Sequence, residues 1–109
     1  MTRARLPNRR HNVNQTVVFS GTAIDLSFGH DDDGKIKEVF VSTRKLGTAL
    51  DIMARDATVM LSFLLQYGID LNELLDVFAA DEHGSVEGFA GIVAKMILKE
   101  NENGLHKNA

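Results

Sequence analysis

The side chains best suited to hold an anion lie in two short stretches. In LPNRR, residues 6–10, Pro7 stiffens the chain while Asn8, Arg9 and Arg10 offer several donors of the kind that bind phosphate or carboxylate. In Lys45-Leu46-Gly47, a lysine and a glycine stand where a helical pattern begins. Free backbone N–H groups and a close approach there make a modest anion site. A plain helix start is the simpler reading of the same three residues.

Other chemistries find less support. The chain has no cysteine, which removes thiolate nucleophiles, disulfides, iron–sulfur clusters and thiol radicals, and fits a reducing cytosol. Asp31, Asp32 and Asp33 are adjacent and followed by Gly34, whereas a calcium loop spaces its first ligands two apart and places a glutamate at position twelve. A hairpin turn is the better reading. His11, His30, His83 and His106 lie in four separate segments, so no metal site is expected. No serine sits in a glycine-flanked elbow, and Gly88 and Gly91 fall within a helical pattern without the preceding strand of a nucleotide-binding fingerprint. Their simpler role is close approach of that helix to a neighbour. Asp51, Arg55 and Asp56 read as ion pairs along a helix.

The elements that must position these groups follow from periodicity. The centre of the chain is KLGTALDIMARDATVMLSFLLQYG, residues 45–68, with apolar residues around most of its circumference. Asp51, Arg55, Thr58, Ser62 and Gln66 form one narrow polar stripe among them, stepping by three or four. Such a helix is expected to be buried on nearly every side. Before it, QTVVFS reads as a strand, Gly21 as a turn, and TAIDLSF as a half-buried strand with Ile24, Leu26 and Phe28 on one face. Asp33-Gly34 signals a hairpin into KIKEVFVST, where Ile36 and Phe40 fall on one face and Val39 and Val41 near the other. That irregular phase suggests a bulge. Gly68 is placed for a left-handed cap, and Asp70 with Glu73 opens a short helix carrying Leu71, Leu74, Leu75 and Phe78. A polar break at 80–84 precedes a third helix, capped by Ser85 and running to about Glu100. The expected fold is α+β: a three-stranded antiparallel meander, then three helices, with the long helix packed on the sheet.

At 109 residues and 12.0 kDa the chain is sized for one domain. A basic arm (1–14), one α+β domain (15–101) and a polar tail (102–109) are the expected divisions. The net charge of −3 combines +4 in residues 1–10 with −7 in the remainder. A basic arm on an acidic body suits phosphate, nucleic acid or an acidic partner, or is simply a solvated tail. The most apolar run, Ala57–Leu65, is well short of the roughly 20 residues a bilayer requires, so a soluble, cytoplasmic protein is expected.

Several of these stretches, in this order, look familiar. LPNRR at 6–10, DDGKIKEVFV at 32–41, KLGTA at 45–49 and SFLLQYGIDLNELLDVF at 62–78 resemble the small C-terminal module, called the TSCPD domain, of cobalamin-dependent (class II) ribonucleotide reductases. The resemblance covers residues 6–80. It implies association with deoxyribonucleotide synthesis and DNA biosynthesis, and it marks Gln66 and Tyr67 as family-motif positions. In that family the thiyl radical and reducing cysteines come from a large barrel domain, and this chain has neither. The cysteine in the family's name is also missing, since the corresponding strand reads DLSFGHDDDG.

The expectation is therefore a non-catalytic module that binds a nucleotide or a protein of nucleotide metabolism, such as a ribonucleotide reductase chain. Asn8, Arg9, Arg10, Lys45 and Gly47 are its phosphate or carboxylate contacts, and no cofactor is implied. Gln66 and Tyr67 have a plainer reading as a polar-stripe residue and a capped aromatic. A nucleic-acid-binding protein using the basic arm and a structural homo-oligomer are the rivals. The acidic body counts against the former.

Overall fold

A computed structural model describes residues 12–42, 48–78 and 80–107, with side chains through 102. The β-branched run forms β1 (Asn12–Phe19), which starts inside the segment read as an arm. Ser20 and Gly21, both at positive φ (52° and 75°), make the two-residue connection to β2 (Thr22–His30). Positive φ at both central residues matches the right-handed twist of a hairpin. β2 then pairs with β3 (Ile36–Val41), giving an antiparallel sheet in the order β1-β2-β3.

The expected irregularity in β3 is present. Pairing runs Gly29 with Glu38 but His30 with Ile36, so Lys37 is the extra residue. This bulge turns Ile36 to the same side as Val39 and Val41, and all three are buried. Phe40 is left on the outer face, paired with Ser27. The sequence reading had put Ile36 and Phe40 together. Period 2 fails there because one residue was inserted.

The β2–β3 loop and the polar break after the second helix turn out to be the same device. Asp31 Oδ1 accepts from the amides of Asp33 and Lys35, at 3.0 and 2.9 Å. Asp81 Oδ1 accepts from those of His83 and Ser85, at 2.9 and 3.0 Å. In each, the fourth residue is a glycine near φ 80° whose amide returns to the aspartate carbonyl. The second turn joins Ala80 to Val86 through an isolated bridge. Ser85 thus closes a turn and does not cap the third helix.

Three helices follow the sheet: α1 (Ala49–Gln66), α2 (Leu71–Val77) and α3 (Phe89–Lys107). Thr48 caps α1, its hydroxyl accepting from the Asp51 amide at 3.0 Å. At the other end Gly68 (φ 82°) completes the expected cap. Its amide bonds the Leu65 carbonyl, and that of Ile69 bonds the Leu64 carbonyl. Asp70 caps α2 through the Asn72 amide. Gly88 lies just before α3 and Gly91 inside it. At Gly91 a side chain would place its Cβ 2.8 Å from the Val86 Cβ, so this glycine lets the helix meet the second turn.

The core is built from Ile24, Leu26 and Phe28 of β2, Ile36, Val39 and Val41 of β3, Ala54, Leu61 and Leu65 of α1, and Val93, Ala94 and Ile97 of α3. It is α3 that crosses the inner face of the sheet. Phe89 meets Phe19 edge-on at 5.8 Å, Glu100 accepts from Gln15 at 2.6 Å, and Asn101 accepts from the Ile36 amide at 2.9 Å. The long helix α1, expected to cover that face, lies along the β3 edge.

Candidate functional site

The polar stripe of α1 points inward. Ser62 is buried, and its hydroxyl donates to the Val39 carbonyl at 2.8 Å while accepting from the Val39 amide at 2.9 Å. One turn on, Gln66, 4% exposed, donates through Nε2 to the Lys37 carbonyl at 3.0 Å. Toward the helix start, Arg55 Nη1 reaches the Val41 carbonyl at 3.5 Å and is held by Asp51 at 3.1 Å. Residues 37, 39 and 41 of the strand therefore meet 66, 62 and 55 of the helix, running antiparallel. These are the groups β3 turns away from β2, and side chains bond them where a fourth strand would. Strand edges left open invite pairing with other chains. The stripe closes this one.

Gln66 thus has a structural task, and the Nζ of Lys37 returns a bond of 3.3 Å to the Leu65 carbonyl beside it. Tyr67, the C-cap of α1, is 39% exposed and opens to solvent at the same end. The spacing of 55, 58, 62 and 66 revealed the stripe, but the strand it faces is a non-local fact. Thr48, whose cap with Asp51 fixes the start of α1, was the missed residue. Its signal was Thr-x-x-Asp before an apolar run.

Asn8, Arg9, Arg10, Lys45 and Gly47 lie outside the described residues. At the start of α1 there is a cavity of about 220 Å³. Thr22, Ile24, Val41, Thr48, Asp51 and Ala54 are among its walls. The lining is mainly apolar and its charged residue, Asp51, is an acid, so the described walls offer an anion no cationic side chain. Among the described residues no group of three or more His, Asp or Glu side chains could hold a metal ion. Asp31 and Asp81 spend one carboxylate oxygen each on backbone amides. Among the same residues no helix is long and apolar enough to cross a membrane.

Comparison with known proteins gives the frame for this geometry. The TSCPD domain family matches residues 2–100. The chain belongs to the TSCPD domain family. Similar curated proteins include the vitamin B12-dependent ribonucleotide reductases of Bradyrhizobium diazoefficiens and Agrobacterium fabrum. Each is 36% identical over 76 residues, which is 70% of this chain and 6% of the relative. The chain thus corresponds to a small part of the relatives it matches. No solved structure matches.

Proposed function

We propose that this TSCPD domain is a non-catalytic module of deoxyribonucleotide synthesis that binds a nucleotide phosphate or a carboxylate-bearing partner of the same pathway. The observation that carries the reading is the joint one of family membership and a chain without cysteine. A relative of ribonucleotide reductases that lacks every thiol can contribute binding to ribonucleotide reduction, but not its radical step. Asn8, Arg9 and Arg10, with Lys45 and Gly47, are the contacts assigned to the anion. Gln66 and Tyr67 serve the fold in this reading.

Thermal unfolding with ribo- and deoxyribonucleotides at millimolar concentration tests it. A ligand present at about 100 times its Kd adds roughly 2.7 kcal/mol. In a domain of this size each kcal/mol moves Tm by about 4–8 °C. A rise with one nucleotide class, abolished by the double change Arg9→Ala, Arg10→Ala, supports the assignment. Unchanged Tm values with every nucleotide would reject the nucleotide and leave the protein partner.

A further inference from the structure

Because the polar stripe of α1 is spent on β3, the opposite side of the helix faces solvent, and that side is apolar. Ile52, Met53, Val59, Met60, Phe63 and Tyr67 are between 39% and 69% exposed, and they recur at helical spacing over four turns. With roughly 150–250 Å² to a large side chain, these exposures leave on the order of 600 Å² on one face of the helix. That reaches the upper end of what a monomer exposes in one patch, and approaches the roughly 800 Å² each partner gives a standard interface.

We propose that this face of α1 is a homodimer interface in which a second copy of the chain packs its own α1 antiparallel across it. A two-fold interface must be complementary to itself, and the residue pattern meets that condition. With the axis between Met60 and Phe63, each Met60 sulfur lies over Phe63 of the partner subunit, a favourable sulfur–aromatic contact. The same axis brings Asp56, the charged side chain within the face, opposite Tyr67 of the partner subunit. The two positions are 11 residues apart, about three helical turns. The phenol can then donate to the carboxylate, so the acid need not be buried without a partner. Flexible methionines at 53 and 60 fill what remains. This interface does not depend on the nucleotide reading.

Sedimentation of the whole chain from 1 to 500 µM, beside Met60→Glu and a control, Val18→Lys, on the outer face of the sheet, tests the proposal. Val18 and Met60 are 69% and 61% exposed, so neither variant disturbs the core. The expected result is a mass near twice 12.0 kDa for the wild type and Val18→Lys, and 12.0 kDa for Met60→Glu. Retained helical circular dichroism should accompany the change. Since the chain has no cysteine, Met60→Cys should also form a disulfide-linked dimer on mild oxidation while Val18→Cys does not. A wild type that stays at 12.0 kDa throughout overturns the proposal. So does a dimer indifferent to Met60→Glu, which would place the contact elsewhere, the open edge of β1 being the alternative.

Discussion

Ser62 and Thr58 are both buried hydroxyls on one stripe of one helix, yet they carry different loads. Ser62 bonds both the amide and the carbonyl of Val39, in another element, whereas Thr58 donates to the Arg55 carbonyl of its own helix, at 3.0 Å. Removing Ser62 strands two buried backbone groups, at about 1–3 kcal/mol. Removing the Thr58 hydroxyl strands none, because a helix carbonyl keeps its ladder bond. Ser62→Ala should therefore lower Tm by at least 4 °C, and Thr58→Val by much less, in matched denaturation curves. Equal losses would mean that the hydroxyls act only by filling space. The difference was not legible in the sequence, where the two residues are equivalent members of a polar stripe. It depends on which strand atoms lie opposite, and residue spacing carries no trace of that.

At the scale of elements, the features set by neighbours in the chain were readable and those set by distant partners were not. Alternation in β2, the Asp33-Gly34 turn and the cap at Gly68 follow from local sterics and hydrogen bonding, and the structure has them. The burial of α1 on nearly every side, expected from its apolar circumference, is not what the structure shows: Ile52, Met53, Val59, Met60 and Phe63 are exposed. Here the edge of β3 offers buried donors and acceptors that only polar side chains can meet, while apolar residues remain outside. The start of α3 was misplaced for a related reason. The Asp81 turn, a copy of the Asp31 turn, consumes Ser85 and leaves Gly91 against Val86. Gly91→Ala gains roughly 1 kcal/mol in helix propensity and loses about 1–3 kcal/mol to the clash, a net destabilisation. A double-mutant cycle with Val86→Gly should show the two positions coupled. Additive effects would remove the contact as the reason for the glycine.

Across the whole molecule the surfaces divide by task. One side of α1 and the inner face of the sheet build the fold, and the outer side of α1 is assigned to a second copy. The stretches at 6–10 and 45–47, on and beside which the chain's anion donors concentrate, are assigned to a ligand. The family was legible in four short motifs. The direct test of the binding account is an amide NMR titration of the uniformly labelled chain with ribo- and deoxyribonucleoside triphosphates. The account predicts shifts concentrated at residues 8–10 and 45–49, with the amides of Ser62, Gln66 and Val39 unmoved. Shifts centred on Gln66 and Tyr67, or none at any residue with every nucleotide, would contradict it.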